Sequence, residues 1–166
     1  MSSWRIAIVL FLLLLFQASV LQFVGLPLSR PDLALLLTIY VSLGSRAERA
    51  TITGFFAGIF QDAVSIQVPG LNSFAKSLVG FLGPALRRSF LVNSFLVRLL
   101  AVAVLTAIHA MVLYWMGEAI RQKSHETSGA EFFMGTVLPG IGSNLVFWVL
   151  LHPMLRRVIP SSEERR

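Results

Sequence analysis

The chain has 166 residues, 55% of them hydrophobic and 13% charged, with no cysteine and a formal net charge of +6. A mean hydropathy of +0.76 excludes an ordinary water-soluble domain, and the lack of cysteine excludes disulfides, thiolate nucleophiles and cysteine metal sites. Basic residues fall between apolar runs rather than on one wet surface, which argues against nucleic acid, and the length holds six short spans with no room for a soluble catalytic domain.

The first span is read over residues 6–25, IAIVLFLLLLFQASVLQFVG, long enough at 1.5 Å per residue to cross a hydrocarbon core of roughly 30 Å. Arg5 and the run that follows resemble a signal peptide, but no A-x-A cleavage site follows, so the segment is expected to be retained. Ser29-Arg-Pro-Asp32 reads as a helix start, with Ser29 as N-cap and Asp32 near N3, opening a short second span over 31–45. Such a short span needs protein around its ends or a locally thinned bilayer. After the SRAER loop come a third span over 50–66, a break at Pro69-Gly70, and a fourth span over 71–86. The fifth span is expected over 99–117 and the sixth over 135–155, with the polar loop 118–131 between them. Pro139, Gly140 and Gly142 predict an irregular start to the sixth helix.

With an internal N-terminus, Arg5, Arg46, Arg49, Arg87, Arg88, Arg98, Arg156, Arg157, Arg165 and Arg166 fall on the cytoplasmic side, and only Arg30, Arg121 and Lys123 outside. The positive-inside rule therefore predicts six spans with both termini cytoplasmic.

Gly54, Gly58 and Asp62 recur at i, i+4 and i+8, on one helical face. The GxxxG pair predicts close helix packing rather than ligand contact. A carboxylate facing lipid costs about 2.5 to 3.5 kcal/mol near a helix centre, so Asp62 is expected to face protein or water. Lys76 enters the fourth helix from the same side and is expected to pair with it. The sharper alternative is an outward-facing polar pocket made of Asp62, Asn72, Ser73 and Lys76. Asp32 reads as a capping residue, and His109, Asn93 and Asn144 as hydrogen-bonding groups between helices. His109, His125 and His152 lack metal-ligand spacing, and no catalytic residue, metal or cofactor is expected.

The runs RPDLALLLTIYVSL and GFFAGIFQDAVSIQVPGLNSFAKSLVGFLG resemble the core signature of the rod shape-determining MreD family. Arg30, Pro31, Asp32, Gly54, Phe55, Gly58, Asp62 and Gly70 occupy the family's motif positions, whereas Lys76 departs from the apolar character of its helix there. The resemblance implies an all-α polytopic fold of six transmembrane helices, similar to the substrate-binding S components of energy-coupling-factor transporters. It implies residence in the bacterial cytoplasmic (inner) membrane and MreC, a bitopic protein, as direct partner. The MreB cytoskeleton, RodZ, RodA and a penicillin-binding transpeptidase are implied as wider partners in peptidoglycan synthesis, with a homodimer left open. The function so implied is a non-enzymatic scaffold of cell elongation. The alternative is a substrate-capture subunit of a vitamin or metal transporter, but the AxxxA surface such subunits carry on the first helix is missing from LFLLLLFQ.

Overall fold

The computed structural model describes residues 3–19, 31–65, 68–90, 94–121 and 129–159. These residues form six helical rods and no strand. They are α1 (Ser3–Ser19), α2 (Leu33–Gly44), α3 (Ala47–Val64), α4 (Leu71–Phe90), α5 (Phe95–Arg121) and a continuous α6 (Gly129–Val158). The last two are each long and apolar enough to cross a bilayer.

The shortest rod sits at the centre. Of the 12 residues of α2, every one except Leu43 is buried, packed by α1, α3, α4, α5 and α6. A helix apolar all round belongs in a core, and LALLLTIYVSLG is such a sequence. Its neighbours turn their large apolar side chains the other way: Phe55, Phe56, Ile59 and Phe60 of α3 are exposed, as are Leu96 and Leu100 of α5 and Val146 and Leu150 of α6. In a chain this hydrophobic, those faces belong against lipid.

The expected loop SRAER largely disappears into α3. Only Ser45 and Arg46 separate α2 from α3, and Glu48 lies in the first turn of α3, where the helix dipole favours a carboxylate. The helix start predicted at Ser29 needs correcting as well, although Ser29 itself lies outside the described residues. Asp32 is the N-cap of α2: its backbone is extended, and its side chain accepts from Leu35 N–H at 2.8 Å.

Helices α3 and α4 form the tightest pair in the bundle, and the reason lies in three glycines. A Cβ on Gly54 would overlap the carbonyl of Lys76, one on Gly58 the backbone of Ser73, and one on Gly80 the carbonyl of Ala50. The two backbones therefore touch where any larger residue would hold them apart.

The start of α6 is irregular, as its Pro and Gly content predicts. Residues Phe133–Val137 form a π-helical segment, and Leu138 N–H reaches back five residues to the Phe133 carbonyl. Pro139, which follows immediately, has no N–H for an ordinary helical bond, so the wider register ends where the donor is missing.

Two sets of contacts define the ends of the bundle. At one end, Arg87 Nη1 donates to the Leu43 carbonyl at 3.2 Å, Tyr40 Oη to the Ile159 carbonyl at 2.8 Å, and Arg98 lies 3.3 Å from His152. Trp4 and Arg5 share a small pocket there with Arg157 and Val158. Of the arginines in the described residues all but Arg121, the last residue of α5, gather at this end, and the other end holds most of the buried polar groups.

Candidate functional site: a buried polar cluster beside a cavity

Where α3 ends and α4 begins, Asp62 is buried and accepts five hydrogen bonds. The donors are Gly70 N–H (3.0 Å), Asn72 N–H (3.2 Å), Asn72 Nδ2 (3.0 Å), Ser73 N–H (3.1 Å) and Ser73 Oγ (2.9 Å). A carboxylate at this place satisfies backbone donors that the first turn of α4 cannot use internally, and it meets the positive end of that helix. Gly70 makes the turn that delivers them, with a φ of 94° that L side chains rarely adopt.

Lys76 lies one turn further along α4 and is fully buried. Its ammonium has three hydrogens and meets three acceptors: Asp32 Oδ2 at 2.7 Å, Asn72 Oδ1 at 3.2 Å and His109 Nε2 at 3.2 Å. The expected ion pair between Lys76 and Asp62 is therefore corrected: the partner is Asp32, and Asp62 is held by Asn72, Ser73 and Gly70. The physical reason is direction. Helical side chains lean toward the N-terminus of their helix, which carries Lys76 to the capped end of α2, and Asp62 lies in line with the backbone donors of α4.

Asp32 joins the two halves of the bundle. Its Oδ1 accepts from Leu35 N–H and its Oδ2 from Lys76 and, at 3.4 Å, from Gln61 Nε2. Its own N–H donates to Asn144 Oδ1 of α6 at 3.0 Å, and the next N–H, of Leu33, to Gln17 Oε1 of α1 at 3.0 Å. The donors at the start of α2 thus end on side chains from α1 and α6 and on the capping Asp32 itself. Sequence reasoning did not single out Gln17; a lone glutamine in a run of Leu and Phe is the signal that was available. Asn144 also donates to Thr106 Oγ1 at 3.4 Å.

Beside the cluster lies a cavity of about 340 Å³, walled by α2, α4, α5 and α6 and lined by Asp32, Thr106, His109, Tyr114, Phe132 and Thr136 among others. Asp62, Asn72, Ser73 and Lys76, expected to form a pocket themselves, do not line it. They form a hydrogen-bonded chain that reaches it through Asp32 and His109. Of the other motif positions, Pro31 is buried, Phe55 is exposed with its ring edge-on to Phe56, and Gly54 and Gly58 lie in the α3–α4 contact. Arg30 and Asn93 lie outside the described residues. Among the described residues no group of three or more His, Asp or Glu side chains is placed to hold a metal ion.

The family profile of the rod shape-determining protein MreD matches residues 1–158 of the chain. The chain belongs to the MreD family. Membership makes it a membrane protein with a role in determining rod shape, and the all-helical bundle with apolar outer faces agrees with that assignment. No curated protein and no solved structure matches the chain.

Proposed function

We propose that the chain is a non-enzymatic scaffold of the cell-elongation machinery, a single unit of six transmembrane helices in the inner membrane with both termini cytoplasmic, that binds the membrane helix of MreC. The observation that carries this reading is the MreD match along nearly the full chain. MreB, RodZ, RodA and a penicillin-binding transpeptidase are the wider partners, and the scaffold holds MreC where peptidoglycan is made.

A groove of about 860 Å³ between α1 and α3 supports helix packing as the mode of binding. Leu10 and Phe11 of α1 and Ile52, Phe56 and Phe60 of α3 line it, and Arg46 and Arg49 stand at one end. A third apolar helix laid between these two packs side chains into the gap at the ordinary spacing of 8–10 Å between helix axes. The loop expected over 118–131 is shortened, because residues 118–121 complete α5 and 129–131 begin α6, and what remains between them offers little area by comparison.

Co-purification tests the proposal. Replacing Phe56 and Phe60 together by Ala is expected to lower recovery of MreC without lowering the yield of folded protein, and a truncated MreC that keeps only its membrane helix and adjoining segment is expected to remain bound. Undiminished recovery by the double variant removes the groove from the interface. Loss of the truncated MreC removes helix packing, and recovery of an ABC-type ATPase instead of MreC overturns the scaffold.

A further inference from the structure

The first and last helices share a pocket far from the polar cluster, at the end of the bundle where the arginines gather. Its floor is carbon: Ile8 and Val9 of α1 and Val158 of α6 line about 200 Å³ of space. At its rim stand Trp4, Arg5 and Arg157. The two guanidiniums come from opposite ends of the chain, and only the fold brings them to one place. Arg5 lies over the Trp4 ring, 5.4 Å from its centroid, a cation–π contact that holds the guanidinium at the rim.

These two arginines differ from their neighbours in what they touch. Arg87 is bonded to the Leu43 carbonyl and Arg98 lies against His152. Among the described residues neither Arg5 nor Arg157 forms an ion pair, and both are exposed. The sequence that follows the last described residue, PSSEERR, carries two glutamates and two arginines, so its side chains add no net negative charge against them. Two cations around a hole walled by hydrocarbon call for an anion attached to a hydrocarbon chain. A free phosphate satisfies the guanidiniums and leaves the floor uncovered, and an uncharged acyl chain does the reverse. A phosphodiester matches the fork of a guanidinium, and tryptophan sits favourably at the level of the headgroups. A zwitterionic headgroup brings an ammonium that two guanidiniums repel.

We propose that the pocket between the start of α1 and the end of α6 binds one anionic phospholipid, with its phosphate between Arg5 and Arg157 and the upper part of an acyl chain on Ile8, Val9 and Val158. In the topology proposed above this is a lipid of the cytoplasmic leaflet. Helix α1 is otherwise packed on α2 and α3, so the lipid gives it a third support and joins it to α6. No residue lines both this pocket and the α1–α3 groove, and either assignment can fail without the other.

Quenching of tryptophan fluorescence by brominated lipids tests it on the full chain in phosphatidylcholine vesicles. Trp4 is exposed, Trp148 is buried, and Trp115→Phe removes the other exposed indole, so quenching reads the lipid at Trp4. Brominated phosphatidylglycerol is expected to be preferred to brominated phosphatidylcholine at least about tenfold, and Arg5→Gln and Arg157→Gln each to lower that preference about threefold. The two together are expected to remove it. Arg88, exposed at the same end but lining neither pocket, is the control: Arg88→Gln is expected to leave the preference unchanged. Thermal unfolding checks that the variants remain folded, and if Arg5→Gln does not insert, Arg157→Gln and Arg88→Gln decide. Absence of a preference overturns the proposal, as does an equal loss in Arg88→Gln, which makes the effect one of general surface charge. Loss of the preference in millimolar inorganic phosphate at constant ionic strength assigns the arginines to a free anion and overturns it too. So does a preference that emerges only when Glu163→Gln and Glu164→Gln are introduced, since the arginines then belong to the chain's own tail.

Discussion

Lys76 of α4 and Asp32, the residue that caps α2, form a 2.7 Å ion pair across 44 positions of sequence. The pair lies where α2, α3, α4 and α5 meet, and every hydrogen of the ammonium has an acceptor. A fully buried lysine is tolerated here because acceptors from three sides come with it.

Removing one member of such a pair leaves the other charged and buried, at a cost of about 3 to 5 kcal/mol, whereas removing both can be nearly neutral. Lys76→Met is therefore expected to lower thermal stability in detergent sharply, and Asp32→Asn with Lys76→Met to recover most of it. Asparagine keeps an oxygen for the Leu35 N–H, so the cap survives the loss of charge. The coupling energy between 76 and 32 is expected to exceed that between 76 and 62, which are linked only through Asn72. Equal couplings in the two double-mutant cycles contradict the pairing.

Alanine at Gly54, Gly58 or Gly80 puts a methyl group into the facing backbone of the α3–α4 pair. Each is expected to cost about 2 kcal/mol or more, at the upper part of the range for overpacking, because a backbone cannot step aside as a side chain can. Gly117→Ala is the control: nothing lies within 4 Å of the added carbon, and exchanging glycine for alanine inside a helix gains roughly 0.5–1 kcal/mol. If thermal melts rank Gly117→Ala with the other three, helix propensity rather than close approach governs this hairpin.

Asp62→Ala leaves two backbone N–H groups of the first turn of α4, the N–H of Gly70 and two side-chain donors without their acceptor. An unpaired buried polar group costs about 1–3 kcal/mol, so this variant is expected to be among the most damaging single changes. Asp62→Asn, which keeps one acceptor oxygen, should retain part of the stability. Gly70→Ala is expected to lose about 1–2 kcal/mol from its left-handed backbone alone. Hydrogen exchange at residues 70–74 reads all three, and unchanged protection in Asp62→Ala would show that water replaces the carboxylate.

The proposed topology is open to labelling. A Ser128→Cys thiol is expected to react with an impermeant maleimide from the outer face of intact cells, and a cysteine added at either terminus only after the membrane is opened. Reaction of Ser128→Cys from the cytoplasmic face alone reverses the assignment.

Much of this architecture was legible in the sequence. Six apolar runs and their breaks correspond to six rods among the described residues, residues 20–25 of the first run lying outside them, since the hydropathy of a segment depends on its composition and little else. Gly54 and Gly58 were legible as a close-packing face because a period of four needs no knowledge of the partner helix. The pairing of Lys76 was not legible. Asp62 and Asp32 are both carboxylates near the same end of the bundle, and the choice between them depends on where α2 stands, which no local pattern encodes. The central place of α2 was hidden for the same reason: a short apolar run reads alike whether lipid or protein surrounds it.

That enclosure has a consequence for how the chain is made. At 12 residues, α2 is about 18 Å long, well short of the roughly 30 Å core that a freely inserted helix must cross. With all but one of its residues buried by neighbouring helices, it has no lipid contact to hold it across the bilayer during synthesis. Its N-terminal donors are matched by Gln17, which has already emerged, and by Asn144, which emerges more than a hundred residues later. In the proposed topology the second segment is therefore expected to settle only when the sixth helix arrives, and a chain cut short before α6 is expected to be degraded rather than to stand as a smaller version of the same protein.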